Sequence, residues 1–314
     1  MSTPLYHLDW LTLGGNGYTD TAGTQWILME ETGFWDSPEP RTDIVERTAS
    51  HGSYMGPSYY RHRVVTLKGR AYAPTQRAMR TAWSRVSAIG SGPTQSLALS
   101  CDSEIGTLTC QVRRDDAVIT TPVPTIYRNA HAFEFSLALV APDPRKYGSQ
   151  WRTMRAGLPQ ANEGDGLDFN KLSGSFRGLD FQSVGGLVFG VSNSTGFLQL
   201  TNAGTAPTAP IYTLYGPLTT PVLTATTGGE TSLLQYNADI GPGEYVVINP
   251  AVPSVLLNGT ASRRHLLNPA AFSGFYIPAA SPDGSAGALR VGLRHTGATT
   301  TGGYATAEFR DAWF

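Results

Sequence analysis

Six histidines, two cysteines and two pairs of adjacent carboxylates are the residues of this 314-residue chain that could carry chemistry. Metal ligation or proton transfer would fall to His7, His51, His62, His131, His265 and His295. None of them sits in an HExxH or HxxxH pair, the spacings that put two imidazoles on one helix face. Cys101 and Cys110 form no CxxC, and the segment between them reads as a tight hairpin. Two states follow for them: a cross-strand pair, or two buried free thiols, the second being the reading for a chain with no sign of export. Glu30-Glu31 and Asp115-Asp116 are neighbours, but neighbours on a strand point to opposite faces, so neither pair shares a proton. GxSxG, GxxxxGK[ST] and GxGxxG are absent. The sequons Asn193-Ser-Thr195 and Asn258-Gly-Thr260 read as chance matches in a Thr- and Asn-rich chain. The sequence therefore nominates no catalytic, cofactor-binding or metal-binding residue, and the chain reads as a non-enzyme. The enzyme that such a search would miss is a hydrolase built from scattered carboxylates. What the sequence does concentrate is aromatic and guanidinium groups: Trp35, Tyr54, Tyr59, Tyr60 and Tyr72 lie close to Arg61, Arg63 and Arg70. These types are enriched in protein interfaces, and the same cluster would equally fill the core of a sheet.

Composition narrows the class. Charged residues make up 15% of the chain, with 24 acidic against 23 basic, so no global field exists to hold nucleic acid. With 40% hydrophobic residues and a net charge of -1, the chain is not of the disordered type. Its 35 glycines and 21 prolines argue against long helices. Lys68, Lys146 and Lys171 are the only lysines; the other basic residues are arginines, which codon bias or selection for bidentate contacts would both explain. The opening residues Met1 to Asp9 lack the basic start and apolar run of a signal peptide, so the expectation is a protein that stays where it is made. Between Asp180 and Glu230 no residue is charged, but Pro207, Pro210, Pro217 and Pro221 interrupt any run of ~20 apolar residues, so membrane insertion is not expected.

The elements that would position these residues are mostly strands. Tyr6 to Leu13 reads as a strand ending at the Gly14-Gly15-Asn16-Gly17 turn, and Gln25 to Met29 as a second. A loop carrying Phe34 and Trp35 runs to Arg41, and a polar stretch then runs to Gly52. Tyr59 to Gly69 alternates clearly, with Arg61, Arg63, Val65 and Leu67 sharing one face. A single helix opens at Pro74-Thr75, places Met79, Ala82, Trp83, Val86 and Ile89 on one stripe, and closes at Gly90. Strands follow at 96–100, 107–113, 125–129 and 133–140, up to the turn at Pro142-Asp-Pro144. Gly-rich sequence at 156–196, with Gly-Leu-Asp-Phe at 166–169 and again at 178–181, reads as a connector. Beyond it, strands are expected at 197–201, 209–215, 221–226, 230–236, 244–249, 254–257, 271–277, 288–295 and 305–313, the spacing of an all-β sandwich. Three segments result: a domain at 1–155, the connector, and a domain at 197–314.

The order of these features resembles the siphophage distal tail protein family. The N-terminal half carries Gly33-Phe-Trp35, Pro38-Glu-Pro-Arg41, the Gly52 turn, the Arg61–Gly69 strand, one helix and Pro142-Asp-Pro-Arg-Lys-Tyr-Gly148. The C-terminal half carries Leu200 to Ile211, Tyr215-Gly-Pro217, Gly243 to Asn249, Leu257-Asn-Gly259 with Arg263-Arg264, and Phe309-Arg-Asp-Ala-Trp313. The resemblance implies a mainly β fold: an N-terminal β-sandwich or split-barrel domain with one α-helix, and a C-terminal galectin-like, jelly-roll β-sandwich. It implies a structural virion protein at the tail tip, assembled in the host cytoplasm. Six copies would form a ring through their N-terminal domains, with Trp35, Tyr59, Tyr60, Arg61 and Arg63 as ring contacts. Its partners would be itself, the tail tube protein, the baseplate hub, the tape measure protein and receptor-binding proteins, with DNA only passing through the lumen. The alternative is a carbohydrate-binding adsorption module, stacking sugars on Tyr236, Tyr245, Phe272, Phe275 and Tyr276.

Overall fold

Alternation at β7 (Arg63–Tyr72) organises the first half of the chain. Arg63, Val65, Leu67 and Ala71 turn inward while Val64, Lys68 and Arg70 turn out, so one face of a long strand is committed to a core. The computed structural model describes residues 4–122, 131–159, 196–269, 271–297 and 302–314. They pack as two units, Met1–Gln150 with Asp311–Phe314, and Trp151–Arg310. The fold is mainly β, 53% strand and 7% helix among the described residues. The expected strand at 125–129 and both Gly-Leu-Asp-Phe copies lie outside the described residues. Of the expected connector, Ala156 and Gly157 belong to a strand.

In the first unit, β1 (Leu5–Leu8), β2 (Leu11–Gly14), β3 (Tyr18–Thr19), β4 (Gln25–Thr32), β5 (Pro40–Glu46) and β6 (Ser53–Tyr60) precede β7. The helix α1 (Gln76–Ser87), β8 (Leu97–Ser103), β9 (Gly106–Arg114), β10 (Ile119–Pro122), β11 (Ala132–Ala141) and β12 (Lys146–Gly148) follow. Seven of these strands close into a barrel in the order β11-β7-β4-β2-β1-β8-β9, and β9 returns to β11 through Leu139↔Arg114 and Val140↔Arg113. Closure removes the barrel's free edges. The helix is the one expected: Thr75 caps it by accepting from Ala78 N, and Val86, Ala82 and Ile89 enter the core. Register settles the cysteines. Cys101 lies opposite Leu108 and Cys110 opposite Leu99, and both thiols are free and buried.

Three strand expectations in this half need correction. Tyr6–Leu13 is a hairpin that turns at Asp9, whose φ of 55° lies in the left-handed region an Asx residue tolerates. Tyr59–Gly69 breaks at Arg61-His62, so Tyr59 and Tyr60 belong to β6 and Arg63 opens β7. The loop and polar stretch at 33–52 contain β5, which pairs with β6 as a separate two-stranded sheet. Its side chains are exposed on both faces, and a strand with no buried face lacks the alternation that reveals strands.

The second unit is a sandwich. One sheet runs β13-β22-β15-β18-β19-β20 and the other β14-β21-β16-β17. They comprise β13 (Arg152–Gly157), β14 (Phe197–Asn202), β15 (Ile211–Tyr215), β16 (Val222–Thr227), β17 (Glu230–Gln235), β18 (Tyr245–Asn249), β19 (Ser254–Leu257), β20 (Ala261–Ser262), β21 (Gly287–Arg294) and β22 (Tyr304–Phe309). Inward residues of both sheets, among them Leu200, Tyr212, Val246, Leu289 and Ala307, form one core. Residues 271–277 are not a strand. Phe272–Phe275 is a single 3-10 turn that sends both phenylalanines into that core, three residues apart as one turn requires. The last expected strand also divides, into β22 and β23 (Ala312–Trp313), and β23 pairs with β12 in the first unit.

Candidate subunit interface

The sequence cluster resolves into a clamped loop and a projecting hairpin. The loop begins at Gly33, where φ is 94° and a Cβ would stand 1.9 Å from Val64 O, so only glycine fits. Asp36 Oδ2 accepts from Gly33 N at 2.9 Å, and Glu31 Oε1 accepts from Phe34 N at 2.6 Å. Arg63, 2% exposed, grips the loop from inside: Nη1 donates to the carbonyls of Gly33, Phe34 and Asp36, and Nε donates to that of Pro144. Lys146 Nζ adds a 2.8 Å bond to Phe34 O and lies 5.2 Å from the Trp35 ring centroid. Phe34 is sealed edge-on against Tyr6, whose hydroxyl accepts from Trp35 Nε1 at 2.7 Å and donates to Glu31 Oε2. The outcome is a rigid turn that presents the Trp35 ring, 42% exposed, to solvent.

Electrostatics agree with a structural role for this cluster. Burial pushes the Tyr6 phenol above its usual range, and likewise raises the thiols of Cys101 to about 11 and Cys110 to about 12. Thiols held protonated are poor nucleophiles. Burial also lowers Arg63, and burial followed by the neighbouring Arg63 charge brings Lys146 down to about 8. Among the described residues no three His, Cys, Asp or Glu side chains come together to hold a metal. No helix among them is long and apolar enough to cross a membrane.

The Lys146 shift predicts a pH signature. The unfolded chain keeps the proton to near 10.5, whereas the folded chain releases it near 8. Between those values the unfolded state binds more protons, so this group's contribution to stability rises with pH; below 8 both states are protonated and its penalty is complete. Relative to Lys146→Met, the native chain should therefore gain about 1 kcal/mol of stability from pH 7 to pH 9. Denaturant titrations at several pH values read this directly, and parallel profiles for the two proteins would refute it.

Of the five expected ring contacts, Trp35, Tyr59, Tyr60 and Arg61 are on the surface and Arg63 is not. Its guanidinium is engaged within its own unit, so the inward face that Arg63 shares with Val65 and Leu67 outweighs the expectation of an exposed contact. Tyr59, Tyr60 and Arg61 line an open cleft of about 730 Å³ with Arg41, Asp43 and His62. Arg61 reaches Glu39 at 3.9 Å, and the Tyr60 ring centroid lies 4.4 Å from that of Phe314. The sequence reading missed Lys146, Glu31 and Tyr6, which arrive from distant strands, and the exposed Ile44, Val45 and Met55 of the hairpin.

In the second unit, the residues proposed to stack sugars are placed differently. Tyr236, Phe272 and Phe275 are in the core. Tyr245 ends an outward row in which Tyr304 and Tyr215 stack at 4.5 Å, and Arg155 covers the Tyr304 ring at 3.8 Å. Arginines also cover Trp151 and Phe197, through Arg310 and Arg290.

No protein-family model and no curated protein matches the sequence. Among solved structures, the chain is similar to the SPP1 Dit (gp 19.1) protein, described as a paradigm of the hub adsorption apparatus in phages infecting Gram-positive bacteria. The match covers 100% of both chains at a TM-score of 0.59 and 9% identity. The chain has the distal tail protein (Dit) fold. The resemblance carried by the Gly33-Phe-Trp35 loop, the single helix and the Pro142–Gly148 turn is thus borne out in the fold. A baseplate structure of phage P2, in its activated conformation with calcium, matches more loosely, with a TM-score of 0.47 and 10% identity over 97% of both chains. In the Dit fold as this chain builds it, the clamped Trp35 loop and the β5–β6 hairpin both belong to the barrel unit.

Proposed function

We propose that the chain is a structural component of a phage tail tip, a homohexameric ring that joins the tail tube to the baseplate hub and forms part of the DNA conduit. The observation that carries this reading is the Dit fold extending over the whole of both chains. A surface hairpin rich in exposed aromatic and apolar groups, on the barrel unit, supports an assembly role. In this reading the protein resides in the virion, is assembled in the host cytoplasm, and meets the tail tube, hub and tape measure proteins, with receptor-binding proteins outermost. The carbohydrate-binding alternative needs a free ring face to stack on a sugar. The tyrosine row and the arginine-capped rings of the second unit do not support it.

The expected result is a closed six-fold ring of the purified chain by mass photometry and negative-stain microscopy, and labelling of tail tips by antibodies against it. A single 33.6 kDa species at all micromolar concentrations, together with absence from virions, would overturn the proposal.

A further inference from the structure

The geometry points to the β5–β6 hairpin as the element that one copy of the chain lays on the next, and to a groove between β4, β7, β10 and β11 as its seat. This rests on the ring reading above and names the contact that would close the ring.

The hairpin is a two-stranded sheet separate from the barrel sheet. Register puts Ile44 opposite Met55 on one face and Val45 opposite Tyr54 on the other. With Tyr59 and Tyr60, these are six large apolar or aromatic side chains, between 47% and 73% exposed. A two-stranded hairpin is marginal alone in water, and although Arg47 covers the Tyr54 ring and Tyr60 packs on Phe314, Ile44 and Met55 on one face and Val45 on the other stay exposed. Together the six side chains offer on the order of 800 Å², about what one partner contributes to a standard interface. A ring joins two unlike patches of the same surface, one giving and one receiving. The receiving patch must then be apolar, uncharged in net terms and on the same unit.

The groove meets those terms. It has a volume of about 210 Å³. Its floor is the backbone around Gly69 and Phe135, and Met29 and Ile119 stand at its rim, 54% and 63% exposed. Met29 points out because β4 bulges there: Leu28 pairs with Gly69 and Glu30 with Lys68, leaving the residue between them unpaired. The charges around the groove are already matched, Lys68 with Glu30 at 2.8 Å and Glu134 with Arg70. The apolar Ile44–Met55 face of the hairpin can therefore cover them without stranding an ion.

The test uses the full chain. Ile44→Asp with Met55→Asp should shift assemblies to the single-chain mass while circular dichroism and the melting transition stay native, because neither side chain packs in the barrel core. Met55→Cys combined with Ile119→Cys should give a covalent ladder under mild oxidation that neither single variant gives, the two native thiols being buried. Should the double aspartate variant misfold, the cysteine pair decides alone. Assembly that survives the aspartates, or a ring that forms without the covalent link, would overturn this inference and leave the ring reading intact. A native chain that never assembles would overturn the ring reading itself.

Discussion

Replacing Arg63 with methionine is expected to lower the melting temperature of the first unit by on the order of 10 °C. The variant removes a donor from four carbonyls at once, those of Gly33, Phe34, Asp36 and Pro144, of which Phe34 keeps its bond from Lys146 Nζ. Each buried acceptor left without a partner costs roughly 1–3 kcal/mol, and because the loop can swing toward water the net loss should be about 3 kcal/mol. For a unit of this size, each kcal/mol moves the transition by about 2–4 °C. Arg63→Lys should recover little, since a point charge on a flexible stem cannot span several acceptors as the guanidinium fork does. Arg61→Ala is the control. Its side chain is 53% exposed and its ion pair with Glu39 is long, so the change should stay within about 0.5 kcal/mol. Calorimetry on the three variants measures all of this. Equal melting of Arg63→Met and Arg61→Ala would show that the clamp does not hold the loop. Trp35 fluorescence adds a local readout, because the indole loses its fixed bond to Tyr6 once the turn relaxes.

The second large effect is expected at Phe275→Ala, with a loss of about 4 kcal/mol from the sandwich core. Phe275 is fully buried and meets Tyr212 edge-on, with centroids 5.7 Å apart. Space left by the ring cannot close easily, because the 3-10 turn is pinned: Tyr212 Oη donates to the Phe275 carbonyl at 3.0 Å. On the other side, a Cβ at Gly274 would lie 1.9 Å from Ser232 Oγ. Tyr212→Phe separates the contributions, since it keeps the ring contact and removes only the hydrogen bond, for about 1–2 kcal/mol. Urea titration of the two variants checks the ratio. A cost for Phe275→Ala no larger than that for Tyr212→Phe would mean that the turn packs far more loosely than described.

What could be read from the sequence, and what could not, follows from where each signal lies. The helix was legible because Met79, Ala82, Val86 and Ile89 repeat at the period of a local structure. The strands of the sandwich were legible because one face of each is buried. At Arg63 the signal was visible and pointed inward, since alternation set it beside Val65 and Leu67; the preference of arginine for interfaces argued the other way, and burial prevailed because four carbonyls compensate the charge. Lys146 carried no local sign of its role. Its partner Phe34 lies 112 residues away, and only barrel closure brings them together. The β5–β6 hairpin was illegible for a different reason: with both faces outward, its pattern answers to something other than its own core. Phe272 to Phe275 failed as a strand because two phenylalanines three apart serve a tight turn as well as they serve a sheet.

Strand β23 has a consequence in time. It pairs with β12 through Lys146↔Trp313 and Tyr147↔Ala312, yet the whole second unit is encoded between the two. A ribosome adding ~5–20 residues per second needs about 10–30 s to travel from one to the other. During that interval the nascent barrel carries an unfinished border beside its buried lysine. The border at β12 is therefore completed only after the second unit has been synthesised, which makes it the last part of the barrel to gain its partner.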